Sequence, residues 1–558
     1  MMTATDNISV VRLVGPQAKY NTARHSLGIL RPVIVTCRYR IPATHLRRRQ
    51  PVSLHDAVEN AVARVVVGQA LLGVGIVGED SKDPAFVHLK TIDMLRMIEW
   101  KEIIVPATIS DAQLDKRNRS ESKEEREKAY YEDRLFRSLE KLHEPMWEDL
   151  AGKPGWKVVV HHDPQQLGAL KSRESLGSGG KAEENNPLLS FDVSFCFHHA
   201  YADGRGGYIF HGELQRALND GARPAELRNH ILYLPKPPLL PPPMDTLIPF
   251  SLSWTFIFRT VWSEVLNAIP MPLFFRRLLR LEPSEAEVPW TGAPVDASNP
   301  KIYIRTIFRI EDESQLKGIL ARCRTYKASL TGLLHALIAR SLARHVQDRT
   351  FCSMTPISLA GYSDQNIAGS AFTPGETIHC LVTGLSANHD LDALQRLKQG
   401  RDDKDTRVED DVAVWAFAQD MTARLRTKTS SLPRDDILAL SGLIGDWHEF
   451  FRKKIGKPRD GTWELSNLGS LSVADAGISR PTNAENGQGV EQDERWFIDH
   501  AVFTQGNAVG AALNINVAGV AEHGIHVTAS WQEGIVDVDL VERLAGDLQA
   551  WVAELVDN

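Results

Sequence analysis

The sequence predicts an α/β protein of two mixed halves joined by a proline-rich crossover. Three observations carry this. Strand-like and helix-like runs alternate along the 558 residues. LPKPPLLPPP at 234–243 breaks the alternation, because each proline removes a backbone donor and restricts its neighbour. No short-period repeat of the solenoid kind is present. The expected division is 1–233, a crossover with an apolar segment at 234–300, and 301–558.

In the first half, VIVTC at 33–37 is β-branched and reads as a strand. Ser53 is placed to cap a helix beginning LHDAVENAVARVVV, in which Leu54, Ala57, Val58, Ala61 and Val65 fall near helical spacing. PAFVHL at 84–89 and KVVVH at 157–161 are further strands. The charge-dense stretch 111–143 predicts a surface helix or insertion, in which Tyr130, Leu135 and Leu139 could form a thin apolar stripe on a solvated helix. SRESLGSGGKAEENN at 172–186 has loop composition. After the crossover, LIPFSLSWTFIFRTVW and its continuation are apolar and aromatic with interspersed Arg. Packing on the body of the protein is the expectation, with association at a membrane surface the less favoured alternative. In the second half, 302–310 alternates as a half-buried strand, and SLTGLLHALIARSLARHV from Ser329 is an apolar helix. Strands are expected at Phe351, at Trp463–Leu465, at 512–517 and at 525–531, and a last helix near Asp539.

Composition excludes several classes. Lys and Arg number 64 against 71 Asp and Glu, a formal charge of −7, so a general nucleic-acid binder is not expected. Cys37, Cys196, Cys323, Cys352 and Cys380 are scattered without a CxxC pair, which fits neither a disulfide framework nor a zinc module and points to a reducing, cytoplasmic setting. No stretch approaches the ~18 uninterrupted apolar residues of a membrane span, and MMTATDNISVVRLVG lacks the pattern of a secretory leader.

The chemistry centres on FDVSFCFHHAYADGRGG at 191–207. Phe191, Val193, Phe195 and Phe197 alternate with polar or small residues, so His199 continues the Phe face if the strand persists and His198 takes the other. Gly204, Gly206 and Gly207 are expected to form a tight turn before a helix starting at Tyr208. An imidazole at the end of an apolar face stays neutral near pH 7 and can accept a hydroxyl proton, as a general base must.

The pattern His198-His199-x-x-x-Asp203-Gly204 resembles the active-site motif of the CoA-dependent acyltransferase superfamily, which includes chloramphenicol acetyltransferase (CAT), plant BAHD acyltransferases and condensation domains. YNTARHSLGILRPVIVTCRY (20–39), VPWTGAPV (288–295), SLTGLLHALIARSLARH (329–345), WELSNLGS (463–470), VFTQGNAVGAALNINVAGV (502–520) and TASWQEGIVD (528–537) resemble the serial signatures of fungal alcohol acetyltransferases. The plant-type DFGWG segment is absent, and SNLGS stands at its counterpart.

The resemblance implies an α/β fold of two CAT-like halves, each a mixed β-sheet flanked by helices, with an active-site tunnel at their interface. It also implies His199 as general base and Asp203 as structural support, held through an arginine for which Arg24, Arg40 and Arg340 are candidates. Ala360 stands where many relatives carry an arginine or another polar residue. The implied reaction moves an acetyl group from acetyl-CoA to a hydroxyl of a small-molecule alcohol, a specialised metabolite being one such acceptor, by direct attack. No GxSxG nucleophile elbow is present. Ser466 or Asn467 is the candidate oxyanion donor. His198, His25 and Gln505 are candidate tunnel residues, whereas Thr504 reads as a strand residue. Residues that would hold the CoA phosphates are not identifiable, since no P-loop or dinucleotide fingerprint occurs. No metal is expected: neither His198, His199 and Asp203 nor His161, His162 and Asp163 have metal-site spacing. His335 and His345 read as packing or end-of-helix residues of an apolar helix. A single chain completes such a tunnel, so a monomer is expected. The alternatives are a condensation or cyclisation enzyme that does not use CoA, and a non-catalytic binding relative.

Overall fold

The computed structural model describes residues 9–42, 53–110, 122–166, 188–258, 260, 288–369, 371–399, 411–472, 495–507 and 509–556. The strands of its two large sheets are, in chain order, β1 (Leu30–Pro42), β2 (Ile98–Glu102), β3 (Trp156–His162), β4 (Leu188–Phe197), β5 (Ile302–Ile310), β6 (Phe351–Ser358), β7 (Val382–His389), β8 (Gly461–Leu471), β9 (Phe497–Asn507), β10 (Ala511–Val520) and β11 (Gly524–Gln532). The helices that matter below are α1 (Pro16–Ser26), α2 (Leu54–Gly68), α3 (Lys123–His143), α4 (Gly204–Asp220), α5 (Leu330–His345), α6 (Val412–Ser431) and α7 (Val538–Val556).

The first sheet has the order β9-β1-β4-β3-β2, and the second β5-β11-β10-β8-β6-β7. Both are mixed: β2 runs parallel to β3, and β8 runs parallel to both β6 and β10, while the remaining pairs are antiparallel. This is the expected architecture, with one departure from the linear division. Residues 497–507, from the second half of the chain, pair antiparallel with β1 and form the edge of the first sheet.

Strand alternation explains how each sheet is covered. In the first, Val33, Val35, Cys37 and Tyr39 meet Phe195, Phe197 and the apolar faces of α2 and α4. Ile34, Val159 and Cys196, one residue out of step, meet Leu135 and Leu139 of α3. Tyr130, Leu135 and Leu139 are buried, as their spacing predicts. In the second sheet, Trp463, Leu465, Leu513, Ile515, Val527, Ala529 and Trp531 pack on α5, α6 and α7.

The opposite face of β8, β10 and β11 carries Glu464, Ser466, Asn514, Asn516, Thr528 and Ser530. It is polar, with all but Glu464 buried. A buried polar face must be hydrogen-bonded. Thr528 and Ser530 donate to the carbonyls of Phe503 and Gln505 on β9 at 2.8 Å each, so side-chain hydroxyls stitch one sheet to the other.

Ser329 caps its helix by accepting from Gly332 N–H, and the capping expectation holds at Ser53, which accepts from Asp56 N–H. The glycine-turn expectation does not. Helix α4 begins at Gly204, capped by Asp203, and Gly206 and Gly207 lie inside it. These glycines serve close packing. A Cβ on Gly204 would overlap Leu468 Cδ2, and one on Gly207 would overlap Val35 Cγ2. All five cysteines are free and buried. The loop expected at 172–186 lies outside the described residues, as does most of the apolar segment after the crossover. Residues 234–243 form neither helix nor strand, as their prolines require.

Candidate active site

Strand β4 ends at Phe197, and the chain turns through 198–203 into α4. The side-chain alternation therefore stops before the histidine pair. The expectation that His199 continues the Phe face is corrected, because 198–203 is a turn. His198 is sealed at 1 % exposure, while His199 stays partly accessible.

The turn is clamped at several points. His198 N–H donates to Gly155 O at 2.8 Å. Asn21 of α1 donates its Nδ2 to His199 O at 3.0 Å. At the other end, Asp203 Oδ1 accepts from Gly206 N–H (2.9 Å) and Oδ2 from Leu381 N–H (3.0 Å). Leu381 belongs to a segment of the second half. That segment is tied to the crossover where His379 Nε2 meets Pro242 O at 2.8 Å. Asp203 thus joins the two halves while capping α4.

No arginine pairs with Asp203 among the described residues. Arg40 pairs with Asp499 at 2.7 Å, and Arg340 with Asp411 at 2.8 Å. Arg24 donates to Asn21 Oδ1 at 2.6 Å and stacks on Tyr20, 4.1 Å from the ring centroid. The arginine expectation is therefore corrected: two backbone amides hold this carboxylate. Burial raises the Asp203 pKa, and the amides of Gly206 and Leu381, with the amide and charge of the neighbouring Arg205, oppose that rise.

His199 has the electrostatics of a neutral base. Burial first, and then the charge of Arg24, push its pKa down to about 4. The carbonyls of His199 itself and of Ala202 lie beside the ring and favour an N–H there. Nδ1 lies 3.5 Å from Cys380 Sγ, whose thiol burial holds protonated.

The two oxyanion candidates separate. Ser466 is buried on the face of β8 shared by Glu464 and by Leu468, the residue that meets Gly204. Asn467 is on the opposite face. Its Nδ2 donates to Thr331 Oγ1 at 3.2 Å, and its Oδ1 accepts Gly469 N–H at 2.8 Å. Gln505 donates to Asn516 Oδ1 at 2.9 Å and to Glu464 Oε1 at 3.3 Å, so it belongs to the polar face between the halves. Thr504 bonds His143 Nε2 at 2.9 Å, in keeping with a strand residue.

His25 and His198 are corrected as tunnel residues: both rings are buried and their nitrogens are fully used. His25 contacts Glu79 and accepts Trp147 N–H, while His198 contacts Glu79 and accepts Ala200 N–H. His25, Glu79 and His198 are the one group among the described residues whose ligand atoms lie close enough for a metal ion. The backbone donors argue against that use, since they fix each imidazole proton on the nitrogen facing Glu79. His161 and His162 are consecutive strand residues on opposite faces and do not converge. His335 is a buried packing residue bonded to Thr355 and Trp463, and His345, the last residue of α5, bonds Asp547 at the helix end.

Asn21, Glu79, Cys380 and Leu381 escaped sequence reasoning. Asn21 and Arg24 stand three apart on α1, which puts them on one helix face, but nothing in the sequence ties that face to residue 199. Leu381 contributes only a backbone amide, which no side-chain pattern encodes.

No family model matches the chain. Over 561 residues it is 26% identical to the probable alcohol acetyltransferase FCK4 of Fusarium pseudograminearum, covering 98% of this chain and 96% of that protein. It is 22% identical to the probable alcohol acetyltransferase crmB of Aspergillus fumigatus, covering 95% and 96%. The chain is a full-length homologue of proteins named alcohol acetyltransferases. Among solved structures, the trichothecene 15-O-acetyltransferase TRI3 of Fusarium sporotrichioides superposes with a TM-score of 0.60 at 13% identity, over 98% of this chain and 94% of that one. The epimerization domain of tyrocidine synthetase B gives 0.51 at 10% identity, over 98% and 97%. The chain therefore shares its overall fold with that acetyltransferase and that epimerization domain. No helix among its described residues is long and apolar enough to cross a membrane.

Proposed function

We propose that the protein transfers an acetyl group from acetyl-CoA to a hydroxyl of a small-molecule alcohol, with His199 as general base. The observation that carries this reading is His199 itself. Its imidazole is neutral and partly accessible, and it sits on a turn clamped from both halves of the chain. The full-length relatives named alcohol acetyltransferases support the reaction class.

His199 accepts the proton of the acceptor hydroxyl as its oxygen attacks the thioester carbonyl carbon. The tetrahedral oxyanion accepts a hydrogen bond from Ser466, the candidate on the face turned toward the first half. Collapse re-forms the carbonyl and breaks the C–S bond. The CoA thiolate recovers the proton from His199, leaving ester and free CoA with the base regenerated. Asp203 takes no proton; it holds the turn. Both halves of the site come from one chain, so a monomer is sufficient.

The test is purified protein with acetyl-CoA and a panel of hydroxyl compounds, wild type beside His199→Ala. Loss of ~10²–10⁴ in turnover is expected for the variant; equal turnover refutes the assignment of the base. Calorimetry with acetyl-CoA separates this reading from a condensation enzyme on the same scaffold, for which no binding is expected.

A further inference from the structure

Two buried histidines share one carboxylate oxygen. Glu79 lies in the turn after the strand Val74–Val77. Its Oε1 is 2.7 Å from His25 Nδ1 and 2.8 Å from His198 Nε2, and the two rings meet edge to face at 4.5 Å. The far side of each ring faces a backbone donor. Trp147 N–H reaches His25 Nε2 at 3.1 Å, and Ala200 N–H reaches His198 Nδ1 at 2.9 Å. An imidazole nitrogen that accepts carries no proton, so each ring holds its single proton toward Glu79 and donates it. Burial pushes the Glu79 carboxyl up, and the two imidazole donors outweigh it, leaving the group ionised with a pKa of about 2.

We propose that Glu79 is a positioning residue for acyl transfer: by pinning His198 it fixes the peptide that carries His199. The proposal rests on the reading of His199 as the base. His198 is adjacent to it in the chain, is anchored through its own N–H to Gly155, and has no ring nitrogen left for substrate. With Asn21 on the His199 carbonyl, the backbone at the base is held on both sides, and the His199 side-chain torsions are left to set the ring. The pair of histidines thus divides the work, one ring serving as anchor and the other as base. The anchor's acceptor comes from a distant turn, and His25 of α1 completes it. Two buried N–H groups deprived of that acceptor are relieved by movement of the turn, and a shift of about 1 Å at a reacting group costs on the order of 10²-fold in rate.

The test uses the full chain with acetyl-CoA and the best acceptor from the hydroxyl panel. Glu79→Gln keeps an oxygen able to accept both N–H groups, whereas Glu79→Leu removes it. The Leu variant is expected to lose kcat on the order of 10²-fold, with calorimetric acetyl-CoA affinity held within about threefold. The Gln variant is expected to stay within about fivefold of wild type in kcat. A folded Leu variant with wild-type kcat overturns the proposal, and so does a Gln variant as impaired as Leu. Nitrogen-15 NMR of histidine-labelled wild type tests the geometry without any variant. His198 is expected as the Nε2–H tautomer, and an Nδ1–H or cationic ring overturns the anchor. Failure of the underlying reading shows separately, as undiminished turnover in His199→Ala.

Discussion

Replacing Asp203 with alanine removes two hydrogen bonds at once, and the structure sets the size of the effect. Oδ1 caps α4 at Gly206 N–H, and loss of such a cap costs about 0.5–2 kcal/mol. Oδ2 accepts the buried Leu381 N–H, which is left unpaired at about 1–3 kcal/mol. Against this, the carboxylate is itself buried enough that desolvation raises its pKa, so alanine relieves part of a burial penalty. The net expectation is a destabilisation of about 2–3 kcal/mol. Asp203→Asn keeps one oxygen, which can serve only one of the two amides, and the expected loss is about half as large. Because Leu381 belongs to the second half, the alanine variant should also loosen the join between halves and lower kcat, although Asp203 exchanges no proton. The assays are urea unfolding and steady-state acetylation on the same preparations. An alanine variant within 0.5 kcal/mol of wild type, or an asparagine variant worse than alanine, would refute the two-amide account. If an arginine held Asp203 instead, Arg40→Met or Arg340→Met would reproduce the kinetic defect; neither is expected to.

The remaining predictions concern packing, protonation and the oxyanion. In Gly207→Ala the new methyl overlaps Val35 Cγ2 and lies 3.0 Å from Val35 Cβ, a stiff β-branched side chain in mid-strand. A cost of about 1–3 kcal/mol should therefore outweigh the gain of about 1 kcal/mol in helix propensity. Thermal unfolding of the Gly207→Ala/Val35→Ala double variant should recover more than half of it. With the His199 pKa near 4, kcat/KM should rise through about pH 4 and stay level from pH 6 to 8; a limb near 6.5 would mean a solvated imidazole. Burial also holds the fully buried His143 and His211 at about 4 in the folded state. Between about pH 6.5 and 4 the unfolded chain binds their protons and the folded chain does not. Stability should therefore fall as pH drops through that window, by about 1.4 kcal/mol per pH unit for each such ring, with proton uptake on unfolding measurable by calorimetry in two buffers. Ser466→Ala should lower kcat ~10²–10³-fold and Asn467→Ala far less, since the amide of Asn467 is occupied by Thr331.

Much of the molecule is legible from local pattern because local physics builds it. The β-branched run 33–37, the period-two run 191–197 and the strand-like run 525–531 became strands, and Ser53 became a helix cap, because pleat and capping depend only on neighbours in the chain. The sparse stripe of Tyr130, Leu135 and Leu139 proved to be the buried face of α3. The glycines after Asp203 were misread for an equally definite reason: their small size answers to Leu468 and Val35, residues remote in the chain.

The sequence by itself determined the α/β class, the strand–turn–helix around the histidine pair, and the residue types available for proton transfer. It could not determine which partners those residues take. Asp203 finds backbone amides rather than an arginine, and His198 finds a carboxylate 119 positions away. Arg24 comes to lie within electrostatic reach of His199. Strand β9 joins a sheet built from the other end of the chain. Each of these is a contact between segments far apart in sequence. Such contacts are selected by which groups remain unsatisfied once the halves close, and that is a property of the packed molecule rather than of any stretch of residues.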